Sequence, residues 1–182
     1  MHKLIEGYHH FIEEADRNRY RDLARGQAPH SLVIGCSDSR IIPEAIFGAG
    51  PGELFVLRNV GNLCRVDDPA VTSAVAYAVG HLKVRNAVIL AHGDCGAVKA
   101  RSHLEAIDEE PIRTWLCEEG RCDGCLEEAI KAWGRCQLER LESLPLVEEA
   151  RSRGDLTTGL FYFDLETLRL DRYDDGLWQE VR

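Results

Sequence analysis

The stretch Ser31-Leu32-Val33-Ile34-Gly35-Cys36 is a short, continuous apolar run, and the reactive residues Ser37-Asp38-Ser39-Arg40 follow it at once. An apolar run of this length without polar alternation predicts a strand that is buried on both faces, as in a parallel sheet. The ligands of such sheets lie beyond the carboxyl ends of the strands. We therefore expect chemistry just after Cys36.

Two further runs of this kind lie downstream. Glu53-Leu54-Phe55-Val56-Leu57-Arg58 follows the turn signal Pro51-Gly52, and Ala87-Val88-Ile89-Leu90-Ala91-His92 ends on a histidine. Between them, Asp68-Pro69 predicts a helix start, with an N-cap and a proline at the first helical position. The order strand, helix, strand predicts right-handed crossovers and a parallel sheet.

The flanking segments have other patterns. His2 to Ala24 carries an apolar stripe at helical spacing, and Glu105 to Arg153 is charged and helical around a loop from Cys117 to Cys125. Thr157 to Phe163 and Thr167 to Tyr173 are β-rich and predict a terminal hairpin or an added edge strand. We expect one domain over 1–182, with a helical arm (1–26), a metal-site core (27–104), a helical subregion (105–153) and a C-terminal hairpin (154–182).

The composition excludes several classes of protein. Of the 182 residues, 45% are hydrophobic and 29% are charged, which is ordinary for a globular domain. The net charge of −9 argues against nucleic acid, whose phosphates need a basic face. No segment is long and apolar enough to predict a membrane span, and the first residues do not resemble a signal peptide, so we expect a cytoplasmic protein without a membrane partner. The seven cysteines are then more typical of metal ligands or free thiols than of disulfides.

Two thiols and one imidazole are expected at neighbouring strand ends. Cys36 follows the first run, while His92 and Cys95 are three residues apart after the third. Zinc prefers four tetrahedral ligands of these types, and a site with three protein ligands leaves the fourth position open. A closed structural site would need a fourth Cys or His, so the pattern predicts a catalytic metal.

Asp38 and Arg40 add a carboxylate and a guanidinium beside this site. In an extended segment, alternation would place both on the same side as Cys36. Arg40 would hold Asp38 ionised, so that Asp38 either accepts a proton from metal-bound water or occupies the open coordination position. Because two thiolates cancel the charge of Zn²⁺, we expect activity to rise towards alkaline pH.

Taken together, these motifs resemble those of the β-class carbonic anhydrases from about Gly26 to the final hairpin. The elements that carry the resemblance are Cys36-x-Asp38-x-Arg40, Pro51-Gly52-Glu53-x-Phe55-x-x-Arg58-Asn59-x-Gly61-Asn62 and His92-x-x-Cys95-Gly96. It implies one zinc ion per chain on Cys36, His92 and Cys95, and reversible hydration of carbon dioxide to bicarbonate and a proton by a metal-bound hydroxide. Asp38 and Arg40 match the catalytic dyad of the family.

The resemblance also implies a substrate pocket and an assembly. Gln27, Phe55 and Tyr77 match pocket residues of the plant-type subgroup, and the Gly96 amide is a further donor. The implied fold is α/β, with a four-stranded parallel core sheet, an antiparallel edge strand, flanking helices and an N-terminal helical arm. The unit is a homodimer or a higher oligomer, with the arm over the partner. Members inhibited by bicarbonate at a non-catalytic site carry Trp where this chain has Val33, so we expect no such inhibition.

Three alternatives remain open at this stage. A hydrolase of carbonyl sulfide or carbon disulfide would need the same metal hydroxide. A non-catalytic zinc protein or thiol sensor would use the extra cysteines. A second, closed zinc site could form from Cys117, Cys122, Cys125 and Cys136, since a Cys-x-x-Cys pair is a recurring half-site, although reduced thiols in a charged insertion would show the same pattern.

Overall fold

A computed structural model describes residues 1–117 and 124–182, and shows an α/β fold. Within these residues, six strands form one mixed sheet in the order β2-β1-β3-β4-β5-β6. The strands are β1 (Ser31–Cys36), β2 (Leu54–Asn59), β3 (Asn86–His92), β4 (Thr157–Phe163), β5 (Leu170–Asp174) and β6 (Leu177–Glu180). The helices are α1 (His2–Glu14), α2 (Arg17–Leu23), α3 (Pro43–Ile46), α4 (Pro69–Val75), α5 (Gly96–Arg101), α6 (Glu110–Leu116), α7 (Leu126–Ser143) and α8 (Pro145–Ser152).

The predicted parallel core is confirmed. β1 pairs in parallel with β2 and β3, and β3 pairs in parallel with β4. β1 is buried along its whole length, as its apolar run predicts. β2 is only half-buried, so the expectation of a fully buried second strand is wrong. The reason is position, because β2 is the edge of the sheet and lacks a neighbour on one side.

The chain crosses from one side of β1 to the other, which creates a place for a site. After β1 it goes to the edge strand β2, and it then returns to β3 on the opposite side of β1. In open α/β sheets, a reversal of this kind leaves a crevice outside the carboxyl ends of the two strands. Cys36 ends β1 and His92 ends β3, so both lie at this crevice.

The antiparallel part is larger than expected. β5 pairs with β4 as predicted, but β6 then pairs with β5, so two strands follow the core instead of one. Asp175 and Gly176 connect them with φ of 46° and 84°. Positive φ at both central residues is typical of the hairpin turn that Asp-Gly favours. The Asp175-Gly176 dipeptide is therefore the feature of the sequence that could have predicted β6.

The N-terminal arm is two helices rather than one. Asp16 separates α1 from α2, and its side chain accepts hydrogen bonds from the amides of Asn18 (2.9 Å) and Arg19 (3.2 Å). These bonds satisfy amides that a new helix start leaves unpaired. The start of α4 follows the prediction, since Asp68 accepts from Ala70 at 2.7 Å. A π-helix, Ala76–His81, continues α4 directly.

The two faces of the sheet differ in how much of them is covered by helices and loops. The main core lies on the face that packs against α4, the π-helix, α7 and α8. The other face has only a small buried cluster, Val33, Ile41 and Leu90, and a cavity of about 340 Å³ opens there. Val33 forms part of the cavity wall. Among the described residues, no helix has the length and apolarity that crossing a membrane requires.

Candidate metal centre

Three side chains meet at the crevice. Cys36 ends β1, His92 ends β3 and Cys95 is the N-cap of α5. Their ligand atoms all lie within 4.8 Å of one another, and in the part of the chain that the structure describes they form the one such group. They are 5%, 0% and 1% exposed, respectively. The structure therefore brings together the three residues that the sequence motifs singled out as candidate metal ligands.

His92 is oriented with one nitrogen free. Its Nδ1 lies 2.8 Å from the carbonyl oxygen of Gly93. A carbonyl only accepts, so Nδ1 carries the proton and Nε2 keeps its lone pair. Nε2 is buried and has no hydrogen-bond partner among the described residues. In histidines that bind a metal through one ring nitrogen, the other nitrogen typically makes a hydrogen bond that fixes the ring in this way.

The two thiols share one negative charge. A hydrogen bond from Cys95 lowers the pKa of Cys36, with further help from the amides of Asp38 and Gly61, while burial opposes the fall. The same hydrogen bond, together with burial and the charge on Cys36, raises the pKa of Cys95. A divalent cation would replace the shared proton and neutralise both sulfurs. Two cysteines and one histidine are a ligand set that suits zinc with an open fourth position.

Arg40 holds Asp38 in a bidentate pair. Nε donates to Oδ1 at 2.9 Å and Nη2 donates to Oδ2 at 2.7 Å. These bonds hold the pKa of the Asp38 carboxyl well below its usual range. The segment is not extended, as alternation assumed, because the Ile41 amide donates to the Asp38 carbonyl and closes a turn. The pair forms all the same, since the Asp38 side chain also accepts from the amide of Arg40 at 3.0 Å.

Comparisons with known proteins all indicate one family. A family model described as carbonic anhydrase matches residues 31–170. A carbonic anhydrase of Pseudomonas aeruginosa is 34% identical over 96% of this chain and 88% of that protein. Carbonic anhydrase 1 of Escherichia coli O157:H7 is 32% identical over 100% of this chain and 91% of that protein. The solved β-carbonic anhydrase CcaA is 29% identical, with a TM-score of 0.89 over 100% of this chain and 91% of that one.

The chain belongs to the β-class carbonic anhydrase family. A further structural neighbour is a solved β-carbonic anhydrase of Sordaria macrospora, which is itself tetrameric. That protein is 27% identical, with a TM-score of 0.80 over 97% of this chain and 95% of that one.

Sequence reasoning missed two residues of this β-class carbonic anhydrase. Arg58 donates from Nε to the Cys36 carbonyl at 3.0 Å and from Nη2 to the Asp38 carbonyl at 2.8 Å, and so holds the turn between them. Asp94 lies between His92 and Cys95 and was not singled out from the sequence, but its carboxylate pairs with both Arg40 and Lys99. The available signal for Arg58 was its place in the motif from Pro51 to Asn62, and the strand register then puts it beside Gly35, one residue before Cys36.

The expected pocket residues are only partly brought together. The rings of Phe55 and Tyr77 lie 5.8 Å apart, and Tyr77 also stacks on His81 at 4.9 Å. Gly96 is exposed at the first position of α5, where an amide has no partner within its own helix. Gln27 is exposed between α2 and β1, and its side chain makes no hydrogen bond within the described residues.

The additional cysteines do not form a second cluster in the described part of the chain. Cys117 and Cys125 are exposed, and Cys136 is half-buried on α7. Cys122 lies outside the described residues. The second zinc site thus stays a prediction.

Proposed function

We propose that the chain catalyses the zinc-dependent, reversible hydration of carbon dioxide to bicarbonate and a proton. One observation supports this proposal above all. Cys36, His92 and Cys95 converge beside the Asp38–Arg40 pair, at the carboxyl ends of β1 and β3. Zinc held by these three residues would supply a Lewis acid that promotes the ionisation of water.

Asp38 orients the attacking water. Its Oδ1 accepts from both the amide and Nε of Arg40, whereas Oδ2 accepts only from Nη2 and keeps a second lone pair. Asp38 is 16% exposed, so its carboxylate is mostly shielded from competing solvent. A fixed acceptor beside the metal ligands aligns the water and helps to pass on its proton, a contribution of typically 10²- to 10⁴-fold for general acid–base groups.

The substrate is proposed to bind against Phe55, Tyr77, Gln27 and Gly96. Carbon dioxide is a small apolar molecule, and the adjacent rings of Phe55 and Tyr77 offer an apolar wall. Its oxygens gain negative charge as bicarbonate forms, and the Gln27 amide and the Gly96 N–H are suitable donors for that charge. Tyr77 is 43% exposed in the single chain, so this pocket is open.

A homodimer or a larger homo-oligomer is part of the proposal. Helix α1 has no buried residue, and its apolar stripe is exposed at Leu4 (74%), Ile5 (54%), Tyr8 (58%) and Phe11 (47%). A contiguous apolar surface of this kind marks an interaction site. The Sordaria macrospora relative is described as tetrameric. The cytoplasmic location stays a prediction from the sequence.

The test is stopped-flow carbon dioxide hydration by reduced protein whose zinc has been counted. We expect turnover that rises with pH, and a loss of roughly 10²-fold or more in Asp38→Asn with its zinc retained. Asp155→Asn is the matched control, because Asp155 also pairs with an arginine two residues away, at 2.8 Å, but far along the chain from the metal ligands. Full activity of Asp38→Asn would contradict the proposed mechanism.

The same protein should be tested for release of hydrogen sulfide from carbonyl sulfide and carbon disulfide. We expect carbon dioxide to be the better substrate. Sulfide release without carbon dioxide hydration, from protein with one zinc ion per chain, would overturn the proposal in favour of the alternative hydrolase. Inactivity on all three substrates would favour a non-catalytic role.

A further inference from the structure

Another cavity opens at the end of the sheet opposite the metal centre. Its volume is about 370 Å³, and its walls come from the π-helix, from α8 and from the turns that precede β3 and β4. Arg85 directly precedes β3 and Leu156 directly precedes β4, whereas the candidate metal ligands lie at the carboxyl ends of the strands. β3 is seven residues long, so a strand of roughly 20 Å separates this cavity from the metal centre.

The floor of this cavity is apolar. Val79, Val84, Ala150 and Leu156 line it, and each of the four is at most 5% exposed. Leu146 of α8 adds a further apolar side chain. A cavity of a few hundred Å³ with an apolar lining and few polar groups is typical of a site for a small molecule. An apolar group that covers this floor would leave water, which favours its binding.

Two positively charged side chains on the rim of the cavity have no partner. Within the described residues, the side chains of Lys83 and Arg85 make no hydrogen bond or ion pair, and both are exposed. Arg153 lies on the same rim, but neighbouring carboxylates already pair with it. The whole chain has a net charge of −9, so two uncompensated positive charges beside an apolar floor are a local exception.

The backbone holds both cationic residues in place. Lys83 has a φ of 58°, a left-handed conformation that is uncommon outside glycine. The amides on either side of it donate to carbonyl oxygens of the π-helix, at 2.9 and 3.1 Å. The Arg85 amide donates to the His30 carbonyl at 3.0 Å, and the Arg85 carbonyl accepts from the Thr157 amide at 2.9 Å. Because the backbone is already ordered, binding of a ligand costs less conformational entropy.

We propose that this cavity binds a small organic phosphate, namely a phosphate monoester with an apolar ester group. Such a phosphate carries a charge of about −1.5 to −2 at neutral pH, which matches the two unpaired charges of Lys83 and Arg85. A guanidinium can bind two phosphate oxygens at once, and an ammonium adds a point charge. The ester group then covers the apolar floor. This inference does not depend on the proposed function, because it needs neither the metal nor the carbon dioxide site.

The experiment is isothermal titration calorimetry on full-length, zinc-loaded protein, with phenyl phosphate as the probe. We expect phenyl phosphate to bind the wild type. Inorganic phosphate lacks the apolar group and phenol lacks the charge, so each should bind roughly tenfold more weakly or worse.

A double variant tests the location of the site. Lys83→Gln/Arg85→Gln removes both charges and should weaken the binding of phenyl phosphate roughly tenfold or more, because charge-assisted hydrogen bonds are lost. Lys3→Gln/Arg113→Gln is the matched control, since it removes the same two charges from exposed side chains on α1 and α6. The control should bind like the wild type. All four substitutions are at exposed positions, so both variants should fold.

Three results would overturn the inference: no binding of phenyl phosphate to the wild type, equal affinity in the two double variants, or inorganic phosphate that binds as tightly as phenyl phosphate. The second result would place the probe elsewhere, such as at the metal, and the third would mean that the apolar floor does not contact the ligand. A protein that binds phenyl phosphate as expected but does not hydrate carbon dioxide would instead refute only the proposed function.

Discussion

Asp94 accepts a hydrogen bond from Nη1 of Arg40 at 3.0 Å, and its own carbonyl accepts one from Nη2 at 3.2 Å. Arg40 follows β1 and Asp94 follows β3, so this contact joins the two halves of the site. Lys99 pairs with the other carboxylate oxygen of Asp94 and holds it in turn. The guanidinium that orients Asp38 is thus itself oriented.

Replacement of Asp94 should weaken catalysis modestly without loss of the metal. Asp94→Asn keeps a side chain that tolerates the positive φ of 59° but removes the charge. Both partners are about half exposed, so we expect kcat/KM to fall about two- to fivefold, the size that an exposed ion pair supports. Zinc content should not change. A kcat/KM equal to that of Asp155→Asn would contradict a role for Asp94.

A charge on the apolar stripe of α1 should disrupt the assembly. Leu4→Glu places a carboxylate on a side chain that is 74% exposed in the single chain and is proposed to be covered by a partner. Burial of an unpaired charge is costly, so we expect a shift towards monomer in light scattering coupled to size exclusion. Lys3→Glu is the control, because it adds the same group beside the stripe. A wild type that is already monomeric would refute the assembly.

Two Gly→Ala substitutions in helices should have opposite effects on stability. A Cβ at Gly134 in α7 would lie 2.8 Å from Cδ1 of Leu160 and 3.5 Å from the Cβ of Ala91, both fully buried in the sheet. Overpacking of this kind costs about 1–3 kcal/mol, which exceeds the gain of about 1 kcal/mol in helix propensity. At Gly7 in α1 nothing lies within 4 Å, so only the gain remains.

Urea titration measures both effects. The free energy of unfolding should fall in Gly134→Ala and rise in Gly7→Ala. Stabilisation by Gly134→Ala would mean that α7 packs less closely against β3 and β4 than the structure shows.

The cysteines outside the metal centre should differ in reactivity. Burial raises the pKa of the fully buried Cys64 to about 12, whereas Cys117 and Cys125 are exposed. Since the thiolate is the nucleophile, Cys64 should resist alkylation in folded protein both at about pH 7 and at about pH 9, while the exposed pair is labelled. Peptide mapping by mass spectrometry gives the order. Labelling of Cys64 in urea is the control, and equal rates in folded protein would contradict its burial.

The sequence by itself determined the parallel core and the positions of the reactive residues. The apolar run ending at Cys36 and the run ending at His92 became neighbouring strands, and the carboxyl ends of neighbouring parallel strands meet at one edge. Asp68 and Pro69 likewise start α4, because an N-cap acts within a few residues of itself. Local patterns of this kind carry their own physical cause, so they can be read without the fold.

Only the tertiary structure decided which groups support the site. Arg40 and Asp94 are 54 residues apart in the sequence, and Arg58 is 20 residues from Asp38. No periodicity records such contacts, because they depend on how helices and strand ends are brought together by burial of the core. The same holds for the burial of β2. Its apolar sequence predicts a fully buried strand, but β2 lies at the edge of the sheet and is therefore only half-buried.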